Sequence, residues 1–183
     1  MDRAQLERAA QVIADGGIVA YPTESCYGLG CDPRRHGAVK RLLQLKRRAW
    51  QQGLILIGAQ LKHFHRYTDL DSDLMAQPRS TWPGPYTWVL PAWPRVSLWL
   101  RGQHDSIALR ITAHPGAAAL CQHIGGALVS TSANRHGRPP ARSAAAVDRE
   151  FAGQIDYILP GRLGGATAPS RIQDARSGTV LRD

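Results

Sequence analysis

The run Val129-Ser130-Thr131-Ser132-Ala133-Asn134 sets two serine hydroxyls and an asparagine amide at alternate positions behind the short apolar stretch 126–129. Groups of this kind hydrogen-bond phosphate, ribose or carboxylate oxygens. In an open α/β sheet they also stand where ligands bind, beyond the carboxyl ends of the strands. Taken alone, the run is more simply a strand followed by a turn, because Ser and Asn are common turn residues. Ser132 as a nucleophile has neither a GxSxG context nor an evident base, so that chemistry is rejected.

Cations are the second candidate set. Between Arg34 and Arg66 the chain carries Arg34, Arg35, Lys40, Arg41, Lys46, Arg47, Arg48, Lys62 and Arg66 and no acid. A field of that sign favours phosphates of a nucleotide or a nucleic acid. The competing readings are a solvated helix face and, for Lys46, Arg47 and Arg48, the preference of a helix C-terminus for positive charge. Arg110 is different, because it interrupts the apolar strand 106–111. A guanidinium there needs an anion, either a protein carboxylate or a substrate.

These residues must be positioned by elements that the apolar periodicity marks out. Residues 5–15 have helical spacing and stop at Gly16-Gly17. Residues 18–21 form a buried strand ended by Pro22, followed by a loop in which Gly28 and Gly30 allow a tight turn or close approach to a ligand. Asp32-Pro33 should cap a helix running to Lys46. Strands follow at 54–57, 86–90, 106–111, 127–129 and 155–159, with helices at 60–66, 71–77, 115–124 and, capped by Ser143, to Phe151. Residues 161–165 read as a loop, and residues 169–172 begin a closing strand. The alternation predicts a mixed α/β single domain.

With 183 residues, 43% hydrophobic and 20% charged, the chain has an ordinary globular composition and enough length for its own core. No stretch approaches the roughly 18 apolar residues of a membrane span, and the N-terminus lacks a signal-peptide core, so the cytoplasm is expected. Cys26, Cys31 and Cys121 lack CxxC spacing and seven histidines are scattered, so neither disulfides nor a protein metal centre is expected.

Six separated motifs in register resemble the YrdC-like family, most closely its short bacterial branch. They are GIVAYPTESCYGLG (residues 17–30), Lys46-x-Arg48, WPGPYT (82–87), the strand from Ser106 to Arg110, Ser132-x-Asn134, and Pro169-Ser170. The resemblance implies an α/β twisted open mixed sheet with flanking helices and a deep basic cavity. It also implies one domain over residues 1–183, without the C-terminal extension of longer relatives. The implied activity is an ATP-dependent nucleotidyl transfer that joins L-threonine, bicarbonate and ATP into threonylcarbamoyl-AMP and releases pyrophosphate. The product serves threonylcarbamoyladenosine modification of tRNA beside the anticodon. Implied partners are the other proteins of that transfer machinery, and tRNA or other RNA.

The chemistry brings a carbamate oxygen to an α-phosphate, so two anions must meet among cations and oriented donors. The resemblance puts Lys46 and Arg48 at the triphosphate, with Ser106, Ser132 and Asn134 near the nucleotide. Of these, Lys46, Arg48, Ser132 and Asn134 are the expected catalytic set. Thr23, Arg110, Ser130 and Ser170 fall to threonine, Arg110 gripping its carboxylate bidentately. Mg2+ is expected to arrive with ATP, held by phosphate oxygens and water. Glu24, the one acid inside a motif, has an open role. The segment Ala49-Trp50-Gln51-Gln52-Gly53 and the residue Arg171 depart from the family pattern. Two rivals are a non-catalytic RNA-binding or ribosome-maturation factor, which lacks aromatic RNA-binding motifs here, and the carbamoyl-adenylate-forming domain of hydrogenase-maturation enzymes, which belongs to much longer chains.

Overall fold

A computed structural model describes residues 2–135 and 137–183. Among the described residues, nine strands form one mixed sheet. They are β1 (Val19–Pro22), β2 (Tyr27–Gly30), β3 (Ile55–Gly58), β4 (Tyr86–Pro91), β5 (Ser106–Ile111), β6 (Leu128–Ser132), β7 (Tyr157–Ile158), β8 (Arg171–Asp174) and β9 (Val180–Arg182). Their spatial order is β7-β1-β2-β6-β3-β5-β4-β8-β9. The helices are α1 (Arg3–Ala14), α2 (His36–Lys46), α3 (Ala76–Thr81), α4 (Leu98–Arg101), α5 (Pro115–His123) and α6 (Ala144–Phe151). No helix among the described residues is long and apolar enough to cross a membrane.

Successive strand residues point to opposite faces, and the register carries that alternation across the sheet. One face aligns Leu56 with Leu109 and Val129, and Leu109 with Trp88. Val39, Leu42 and Leu43 of α2 and Phe64 belong to the same buried cluster. The other face carries Val19, Tyr21, Ile57 and Leu128, packed with Ala9 and Ile13 of α1 and Ala117, Leu120 and Cys121 of α5. Each such large apolar side chain contributes roughly 1.5–3 kcal/mol by leaving water. That helical cover stops halfway along the face. Beyond it the row Ser130, Ile55, Ala108 and Val89, paired strand to strand, is left as the floor of a cavity.

Several local expectations hold. The strand Ser106–Ile111 is found as read, and Ser143 caps α6 by accepting a hydrogen bond from Ala146 N at 3.1 Å. Others need correction. Asp32 does not cap α2, which starts at His36 behind Arg35; the carboxylate instead accepts from Arg34 N at 2.8 Å and from the Arg34 guanidinium. The loop expected after Pro22 contains a strand, β2, paired with β1 as a hairpin. Its glycines serve the sheet: a Cβ on Gly30 would lie 2.4 Å from Val129 O and 2.9 Å from the Tyr21 ring. The helices expected at 60–66 and 71–77 shrink to 3-10 turns at Leu61–Phe64 and Asp73–Met75, the second leading into α3. The strand expected at 127–129 runs on to Ser132, so Ser130 and Ser132 lie within β6.

Candidate active site

Arg110 sits on β5 opposite Ile57 of β3, on the cavity face. Its Nη1 donates to Glu24 Oε2 at 3.1 Å. Glu24 Oε1 accepts from Thr112 Oγ1 at 2.7 Å and from Ala113 N at 3.0 Å. The anion that the strand position demanded is therefore a protein carboxylate, from the Pro-Thr-Glu loop. Burial by itself raises the Glu24 carboxyl, but Arg110 and the two hydrogen bonds outweigh it and hold the group below its ordinary range. Arg110 keeps a buried Nε with no hydrogen-bond partner.

The neighbouring hydroxyls are each oriented by a second group. Tyr21 OH donates to Ser130 Oγ at 2.8 Å, and burial pushes the Tyr21 phenol upward, keeping it a neutral donor. Thr23 Oγ1 donates to Cys26 O at 2.7 Å, closing the turn between β1 and β2. Ser170 Oγ lies 2.8 Å from Thr87 Oγ1, and Arg182 Nη2 donates to Ser170 O at 2.7 Å. Thr23, Arg110, Ser130 and Ser170 are all buried and all line the cavity.

Lys46 and Arg48 part company at Arg47, whose left-handed φ of 48 ends α2. That backbone costs roughly 1–2 kcal/mol in a residue other than glycine. Lys46 turns toward the end of β6, where its ammonium donates to Ser132 O at 2.5 Å, Asn134 O at 2.6 Å and Asn134 Oδ1 at 2.9 Å. The same Oδ1 accepts from Ser132 Oγ at 2.6 Å, and Asn134 Nδ2 donates to Arg138 O at 2.6 Å. Lys46, Ser132 and Asn134 thus form one lattice. Burial first, and then Arg48, pull the Lys46 ammonium down to about 8. Arg48 turns the other way, donating through Nε and Nη2 to Gly53 O at 3.2 and 3.0 Å and lining the cavity.

The segment that departs from the family pattern is what seats Arg48. Residues Trp50–Gln52 form a 3-10 turn ending at Gly53, with Trp50 tilted against Trp99 at 6.0 Å between ring centres. Gly102, at φ 69, passes so close that a Cβ there would fall 2.2 Å from Gln51 O. Only glycine fits both constraints.

The cavity holds about 990 Å³. It brings together Thr23, Arg48, Ser106, Arg110, Ser130, Ser132 and Ser170, and Lys46 and Asn134 adjoin it through their hydrogen bonds to Ser132. Five arginines reach it (Arg48, Arg101, Arg110, Arg142, Arg182), and Asp174 is the acid along its lining. Sequence reasoning missed Tyr21, Thr87 and Arg182. The first two lie inside the motifs 17–30 and 82–87 but read there only as strand residues, and Arg182 lies on a three-residue strand too short for a periodicity. Among the described residues no group of three or more His, Cys, Asp or Glu is placed to hold a metal ion.

A family model for Sua5, YciO and YrdC proteins, described as telomere recombination, matches residues 11–183. A protein of Halorhodospira halophila called threonylcarbamoyl-AMP synthase is 53% identical over 97% of this chain and 94% of its own length. One of the same name from Nitrosococcus oceani is 51% identical over 95% of each. Among solved structures, P. abyssi Sua5 complexed with L-threonine superposes with a TM-score of 0.92 at 30% identity, covering all of this chain. This chain spans about half of that one, 54%. E. coli YciO, at 24% identity and a TM-score of 0.87, shares the fold.

Proposed function

The chain belongs to the Sua5/YciO/YrdC family, and from that membership we propose that it is an enzyme making threonylcarbamoyl-AMP from L-threonine, bicarbonate and ATP, with release of pyrophosphate. The observation that carries this reading is the near-complete overlap with relatives of that name. Threonine and ATP are its substrates, and the non-catalytic RNA-binding reading is not favoured.

Arg110, Thr23, Ser130 and Ser170 form the threonine end of the cavity. Arg110 offers the carboxylate the guanidinium edge that Glu24 does not occupy, and a hydrogen bond from a neighbouring hydroxyl to the threonine side chain separates it from valine, which shape alone does poorly. Arg48 and Ser106 serve the nucleotide and neutralise charge on the departing pyrophosphate. Ser132 presents its hydroxyl from a position held by Asn134 and Lys46. Lys46 adds charge beside Ser132 and acts through the lattice. When ATP is bound, magnesium supplies charge neutralisation on the phosphates; the cavity lining, poor in carboxylates, leaves phosphate oxygens and water as its ligands. The product would pass to the tRNA-modifying proteins in the cytoplasm, as one domain spanning residues 1–183.

The test is pyrophosphate release from ATP with bicarbonate and L-threonine, and with threonine omitted or replaced by L-valine or L-serine. Release that depends on threonine and bicarbonate supports the reading. Release with neither, or none at all, overturns it.

A further inference from the structure

Two anions of different kind, a monoanionic carboxylate and a polyphosphate, must take separate seats in a cavity lined by five arginines. Nothing about a guanidinium by itself sorts them, because Arg binds carboxylate and phosphate with the same fork. We propose that Glu24 does the sorting: it orients Arg110 and offsets its charge, so that this seat takes a carboxylate and refuses polyphosphate. The inference rests on the reading of Arg110 as the residue that holds the threonine carboxylate.

Glu24 is held from two directions. Its carboxylate is fixed by Thr112 Oγ1 and Ala113 N just past β5. Its backbone is laced to the loop before β8, where Ala166 N donates to Glu24 O at 2.9 Å and Gly164 N to Thr23 O at 3.0 Å. Gly164 lies so near that a Cβ on it would stand 3.0 Å from Glu24 Cα. An anchored carboxylate then takes Arg110 Nη1. With Nη1 committed, the edge formed by Nε and Nη2 is the one left for a bidentate carboxylate; Nε has no partner and is closed to solvent, so a ligand reaches it only as the guanidinium turns toward the cavity.

Charge does the rest. The Arg110 and Glu24 side chains are only 10% and 14% exposed, so water screens their interaction little. The pair is close to neutral as a unit and can accept one further carboxylate. A polyphosphate brings several negative charges toward Glu24 and is repelled, whereas Arg48 and Arg182 bond backbone carbonyls and a hydroxyl and pair with no carboxylate among the described residues. Glu24 does not line the cavity. It is a positioning residue, acting on substrate through Arg110.

The experiment compares the wild type with Glu24→Gln, Arg110→Ala and the double variant, reading KM for threonine, KM for ATP and the pattern of inhibition by inorganic pyrophosphate against threonine. Glu24→Gln should raise the threonine KM about ten-fold, the size of a lost charge-assisted hydrogen bond, and turn pyrophosphate from non-competitive to competitive against threonine. On the Arg110→Ala background it should add nothing. An unchanged inhibition pattern, or an equal effect with and without Arg110, overturns the proposal and makes Glu24 a loop anchor. A threonine KM unmoved by Arg110→Ala overturns the underlying reading of Arg110 instead. Should Glu24→Gln not fold, Thr112→Val removes one anchor of the carboxylate and must shift the same two readouts in the same direction.

Discussion

Tyr21 OH donates to Ser130 Oγ at 2.8 Å across the hairpin and β6, and both residues are buried. The donation leaves the Ser130 proton free to be given to an acceptor in the cavity. Tyr21→Phe keeps the ring packed against α1 and α5 and removes one hydrogen bond, at a cost of about 1 kcal/mol. Steady-state kinetics should show a threonine KM raised about five-fold with the ATP KM unmoved. Equal changes in both would mean that the hydroxyl serves the fold alone.

Arg110→Ala should weaken threonine binding by about 2 kcal/mol or more, as expected when a charge-assisted bond is removed, while ATP affinity is retained. Isothermal titration with each ligand separately checks this. The variant also leaves Glu24 buried without its cation, so a melting temperature should be measured alongside. A loss of both affinities together would reassign Arg110 to the fold.

The lowered Lys46 ammonium yields a pH prediction. As pH rises through about 8, the group loses its proton and with it one of three donors to Ser132 and Asn134. The rate should therefore fall with an alkaline limb near that value. Stability moves the other way: the folded state gives up this proton below the pH at which the unfolded chain does, so its deprotonation favours the fold from about 8 upward. An activity profile that falls while the melting temperature holds between pH 8 and about 9.5 fits. A fall shared by both would assign the limb to unfolding.

Gly30→Ala should be strongly destabilising. The added carbon would meet Val129 O at 2.4 Å and the Tyr21 ring at 2.9 Å, between strands that have little room to part. Overpacking of this kind costs about 1–3 kcal/mol. A urea unfolding curve should show a lower midpoint, and an unchanged midpoint would contradict the tight contact.

Much of the layout was legible in the residues alone. The spacing of apolar residues marked α1, α5 and β5 because such periodicities are local, and Ser143 announced its helix because a cap reaches only three residues. The six motifs pointed to the family because each is short and contiguous. The partners of the key side chains were not legible. Glu24 meets Arg110 across 86 positions, Tyr21 meets Ser130 across 109, and Lys46 reaches Asn134 across 88. Those distances are closed by strand order and register, which depend on how the whole sheet assembles. A sequence carries the identity of a charged group in its own letter; which neighbour satisfies that group is decided only when distant strands are brought side by side.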